Sequence, residues 1–112
     1  MPWLLREEEV LAALEVVTSR RDRRKGLLGR DSMDGALLLE PARVIHTVGM
    51  RFPIDVAYCR RVQDGLLEVI ATRAMPRGRL GRPRPRARCV IEAELGAFER
   101  WKLAVGDVLV VR

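Results

Sequence analysis

In Ile54-Asp55-Val56-Ala57-Tyr58-Cys59, large apolar residues at 54, 56 and 58 alternate with Asp55, Ala57 and Cys59, the two-residue period of a half-buried strand. Asp64-Gly65, a hairpin turn pair, then leads into a second strand over Leu66 to Arg73. On the other side, Gly49-Met50-Arg51-Phe52-Pro53 interrupts the chain. Before it, Ala36-Leu37-Leu38-Leu39 and Val44-Ile45-His46-Thr47-Val48 read as two more strands, parted by Pro41 and introduced by the turn Asp34-Gly35.

Further out, Trp3-Leu4-Leu5 and Val10 to Val17 read as strands joined by an acidic turn, although Glu7 to Val17 alone also fits an amphipathic helix. Thr18-Ser19 offers side-chain oxygens to cap a helix over Arg20 to Leu28, and Gly29 suits its end. Toward the carboxyl end, Arg88 to Leu95 is a strand and Ala97 to Leu103 a helical turn whose Phe98 and Trp101 close the core. Gly106-Asp107 precedes a last strand, Val108 to Val111. Short strands with turn signals between them predict a mainly β (α+β) fold. The expectation is a single small β-sandwich or partial barrel over residues 1–112, with one short helix and a helical turn near the C-terminus.

A chain of 112 residues holds one core and leaves no room for a separate cofactor domain. With 48% hydrophobic and 32% charged residues, wholesale disorder is excluded. No apolar run approaches the roughly 20 residues of a membrane span. The acidic start, Arg6-Glu7-Glu8-Glu9, is unlike a secretory leader, so a cytoplasmic location without membrane association is expected. Cys59 and Cys89 stand in apolar runs and in no metal-ligand spacing. They read as small buried hydrophobes, and neither a metal nor a cofactor is expected.

The net charge of +6 is concentrated. Seven arginines and no acid lie between Arg73 and Arg88, and the rest of the chain is close to neutral. This segment, punctuated by Pro76, Gly78, Gly81, Pro83 and Pro85, is expected to be a long extended loop. Arg77, Arg79, Arg82, Arg84, Arg86 and Arg88 suit nonspecific nucleic-acid phosphate contact. The segment has no aromatic residue for base stacking, so this partner is not the favoured one.

Arg24-Lys25-Gly26-Leu27-Leu28-Gly29-Arg30, then Gly49-Met50-Arg51-Phe52-Pro53-Ile54-Asp55, then Gly96 and Gly106-Asp107 form an ordered series that resembles the domain of unknown function 192 family over nearly the whole chain. The resemblance implies a compact mainly-β domain and no agreed activity. Many members carry a tryptophan-containing stretch before Pro-Leu-Asp; here His46 falls at the tryptophan's place, which implies a different ligand if that stretch lines a pocket.

His46, the single histidine, and Asp55 are the candidate catalytic pair. If 44–48 and 53–59 formed a hairpin around a four-residue loop, His46 would face Asp55, near enough for the carboxylate to orient the imidazole in a hydrolase-like acid–base reaction. The competing reading has Asp55 accepting backbone N–H groups and His46 as structural; no nucleophile accompanies the pair. Arg30 and Arg51 suit anion binding, with Met50 able to line a pocket. The favoured function is therefore the binding of a small polar or anionic molecule in a cleft near Arg30, His46, Met50, Arg51 and Asp55.

Overall fold

A computed structural model describes residues 2–112. Seven strands, β1 (Trp3–Arg6), β2 (Glu9–Val17), β3 (Ala36–Leu39), β4 (Ile54–Gln63), β5 (Leu66–Met75), β6 (Cys89–Glu94) and β7 (Val108–Val111), accompany two short helices, α1 (Arg20–Lys25) and α2 (Ala97–Trp101). The strands form a closed barrel in the order β1-β2-β3-β6-β4-β5-β7, and β7 returns to β1 through Leu4 opposite Val111 and Leu5 opposite Val110. The protein is thus a barrel and not a sandwich. β2 and β3 are parallel while the other neighbours are antiparallel, because the chain crosses between β2 and β3 through α1 and the turns after it.

Two apolar clusters divide the barrel wall between them. The first takes residues from every strand, among them Leu4, Leu14, Leu38, Ala57, Leu67, Ile91 and Leu109, and so fills the barrel interior, with Phe98 of α2 packed onto it. The second joins the opposite face of β3, β4 and β6 (Leu37, Leu39, Val56, Tyr58, Val90) to Leu27, Met33, Ile45 and Met50 from the chain between α1 and β4. Ile54 to Cys59 is consequently buried on both faces rather than one. The expected alternation reflects the barrel's two sides, with the larger residues outward.

The remaining differences from the sequence reading have local causes. Glu9–Val17 is strand, which removes the helical alternative there. In α1, Ser19 Oγ accepts the N–H of Asp22 at 3.1 Å, as an N-cap should, but the helix ends at Gly26 with φ 49° instead of Gly29. Turning there sends Leu27 into the outer cluster. Residues 44–48 are not a strand of the barrel. Ile45 and Thr47 are buried and Val44, His46 and Val48 exposed, so the run has a strand's period. Its backbone partners, however, lie in the arginine segment: Thr47 N–H donates to Arg79 O at 2.8 Å and Gly81 N–H to Ile45 O at 2.7 Å. Among the described residues, no helix is long and apolar enough to cross a membrane.

Candidate functional site

A cleft of about 370 Å³ lies between α1, the turn after it, and residues 41–46. Leu27, Leu28, Leu39, Ile45 and Met50 supply its apolar wall. Its rim carries Arg20, Arg23, Arg24 and Lys25 from α1, joined by Arg43 and His46. Arg23, Arg24 and Lys25 lie in the last turn of α1, where positive charge suits the helix dipole, but the crowded cations repel one another, and among the described residues none of the four that line the cleft pairs with an acidic side chain.

One acid lines this cleft: Glu92. It stands in the middle of β6, opposite Leu37 on one neighbour and Val56 on the other, and is only 3% exposed. Its Oε1 is buried without a hydrogen-bond partner, and a methyl group placed on Gly26 would stand 3.9 Å from it. Burial without a counterion disfavours the carboxylate and pushes the Glu92 pKa up to about 7. Glu92 is not among the site residues expected from the sequence. Its signal was there to read, a charged residue inside the apolar run Cys89-Val90-Ile91-Glu92-Ala93.

The residues expected to form one site are distributed over several. His46 and Met50 line the cleft, His46 exposed and Met50 buried. Arg30 pairs with Glu15 at 2.9 Å, and Arg51 with Asp31 at 2.6 Å, both on the surface and away from the cleft lining. Asp55 lies between β5 and β6, opposite Ala74 and Ala93, and its Oδ2 accepts the N–H groups of Gly96 at 3.0 Å and Phe98 at 3.1 Å. The hairpin that would set His46 opposite Asp55 does not form, since His46 bridges Leu80 instead. Pro53 precedes β4, and the strand begins against β5 and β6, which already occupy both of its edges. Asp55 fastens α2 to the barrel end, the structural role that competed with the catalytic one.

The arginine segment forms a second concave surface. A cavity of about 250 Å³ is lined by Tyr58, Arg73, Arg79, Arg82 and Arg84, with no acid in its lining. The Arg84 guanidinium sits 5.3 Å from the centre of the Tyr58 ring, and its Nε is buried without a partner. Burial raises the Tyr58 pKa, against the pull of Arg84 and Arg73. Arg77, Arg86 and Arg88 lie outside this lining, and among the described residues none of the seven arginines from 73 to 88 enters an ion pair. Cys59 and Cys89 face each other across β4 and β6, both buried and unbridged. The neighbouring thiol and burial raise the Cys59 pKa, which keeps it protonated and unreactive.

The family model DUF192 (Uncharacterized ACR) matches residues 4–111. Two solved structures are similar in fold. A candidate transcription regulator from Sinorhizobium meliloti superposes with a TM-score of 0.78 at 18% identity, covering 98% of this chain and 91% of that one. A protein of unknown function from Novosphingobium aromaticivorans gives 0.76 at 15% identity, covering 96% and 81%. No curated protein matches.

Proposed function

Starting from the chain's membership of the DUF192 family, to which it belongs over residues 4–111, we propose that it binds a small anionic molecule in the cleft between α1 and residues 41–46. The observation that carries this reading is the rim: Arg20, Arg23, Arg24, Lys25 and Arg43 surround an apolar-walled cleft, and among the described residues none of them enters an ion pair. Guanidinium forks match carboxylate and phosphate oxygens, and a cleft of this size falls within the range that holds small ligands. His46 and Met50 belong to this site. Arg30, Arg51 and Asp55 serve the barrel's surface and its end.

The test is an NMR titration of the full chain with small carboxylates and phosphates. Shifts gathered at Gly26, Leu28, Ile45 and His46, and weakened several-fold in Arg24→Gln and Arg43→Gln, support the cleft. Shifts confined to residues outside it refute the reading.

A second reading has its own observation. The unpartnered Nε of Arg84 and the unpaired arginines beside Tyr58 suit phosphate groups, including those of a nucleic acid. Binding to single-stranded nucleic acid that falls steeply with salt, and is lost when Arg79, Arg82 and Arg84 become serine, supports it. Absent or salt-insensitive binding dismisses it. The hydrolase-like alternative has no paired His46 and Asp55 to rest on.

A further inference from the structure

Resting on the reading of the α1 cleft as an anion site, its chemistry can be narrowed by what lies inside it. The cleft is polar at two levels. Cations occupy the rim, on α1 and at Arg43, with His46 beside them, while the carboxyl of Glu92 lies inward of the apolar wall. No hydrogen bond joins the two levels among the described residues. Arg43 Nε donates to Ala87 O at 3.1 Å, and Arg23 is held by Thr18 O. On the other sides of Glu92 stand Leu37 and Val56, which offer no side-chain donor, and Tyr58 on the same face of β4, whose phenol interacts with Glu92 electrostatically but makes no hydrogen bond with it. On the α1 side Gly26 approaches the buried Oε1 without a side chain, and a Cβ there would stand 3.9 Å from it.

A buried carboxylate with a free oxygen is complementary to a cationic donor, which would supply both the missing hydrogen bond and the missing counterion. We propose that the cleft takes a small amino-carboxylate, with its ammonium on Glu92, its carboxylate on the guanidinium groups of the rim, and its aliphatic part against Leu39, Ile45 and Met50. A ligand carrying only an anion would satisfy the rim and leave Glu92 as it is. An acceptor reaching Glu92 would need the acid protonated. These cases differ in the sign of their proton linkage, because an ammonium binds the ionised carboxylate and expels its proton, whereas an acceptor retains it.

The experiment is isothermal titration calorimetry of the full chain with leucine and methionine, each beside its deaminated acid, in buffers of different ionisation enthalpy. Leucine or methionine is expected to bind about tenfold more tightly at pH 8 than at pH 6, releasing close to one proton at pH 6 and almost none at pH 8. Each deaminated acid should bind at least tenfold more weakly than its parent. Glu92→Gln should erase the preference for the amino acid over its deaminated acid and abolish the proton release. Proton counting on the unmodified chain needs no variant to fold. Equal binding of amino and deaminated acids without proton release overturns this inference and leaves the anion-binding cleft standing. Proton uptake on binding also overturns it. Failure of all these carboxylates to bind overturns this inference, and failure of phosphates as well overturns the anion-binding reading beneath it.

Discussion

Asp55, at the start of β4, reaches the first turn of α2, where its Oδ2 accepts the backbone N–H of Phe98 at 3.1 Å. The same oxygen takes the N–H of Gly96 at 3.0 Å, so one carboxylate satisfies two donors at the beginning of a helix that has no side-chain cap of its own. Asp55→Ala orphans both donors and should destabilise the protein by about 3 kcal/mol, with Asp55→Asn costing about 1 kcal/mol because its amide oxygen still accepts. Urea unfolding of the two variants measures this, and equal midpoints for the parent and the alanine variant would refute the assignment.

His46 gives the opposite expectation. It is exposed and holds its place through backbone pairing with Leu80. His46→Ala should therefore change unfolding free energy by no more than about 0.5 kcal/mol. A loss comparable to that of Asp55→Ala would mean that the imidazole carries structure.

Thr47 should be far more sensitive than its neighbour. Its Oγ1 donates to Pro76 O at 2.6 Å and accepts from Arg79 N–H at 2.9 Å, and the residue is fully buried. Thr47→Val keeps the shape and breaks both bonds, at a cost of about 2 kcal/mol. Amide exchange should then quicken across 76–81 while β6 keeps its protection.

Gly81 passes beneath residue 45 so closely that a side-chain carbon there would lie 2.5 Å from Ile45 O and 3.0 Å from Tyr58 Oη. The backbone of Ile45 cannot withdraw without losing its bond to Gly81 N–H. Gly81→Ala is expected to cost about 2 to 4 kcal/mol, among the larger single-residue losses. An alanine variant as stable as the parent would show that the segment can move off the barrel.

Glu92 ties stability to pH. Its folded pKa, pushed up to about 7, lies above its ordinary value, so the native state keeps the proton when the unfolded chain has already released it. The stability is fully present below about pH 4.5 and is lost as pH rises through 7, by about 3 kcal/mol in all. Glu92→Gln does not titrate, so the difference between parent and variant should shift in the variant's favour by that amount from pH 4.5 to pH 8. Parallel stability curves for the two proteins would contradict it.

The strands were legible wherever alternation and a turn pair coincided, as in Ile54–Cys59 before Asp64-Gly65, and the Ser19 cap located α1. Residues 44–48 show why the site was less so. Alternating burial at Ile45 and Thr47 records an extended chain lying on a surface, and that pattern is the same whether the surface is a hydrogen-bonded neighbour or the outside of a barrel. With that segment assigned to a hairpin, His46 was drawn to Asp55. Glu92 was hidden by the opposite error, since coverage of β6 on both faces turns this mid-strand acid into a buried group while Glu94 at the strand's end stays exposed, and coverage of the second face depends on distant chain. The resemblance to the family, carried by the ordered glycine-rich motifs, holds over residues 4–111, and the mainly-β class followed from the turn signals between short strands.

The pairing of β1 with β7 has a kinetic meaning. The ladder that closes the ring joins the earliest strand to the latest, with Trp3 and Arg112 exchanging backbone hydrogen bonds at 2.8 and 3.0 Å beside it. Bringing such remote segments together incurs the largest loop-closure entropy in the molecule, before the interior cluster can be sealed. Refolding should accordingly be slow for a chain of this length, on the millisecond-to-second scale of β proteins rich in nonlocal contacts, with closure of the ring as its last step.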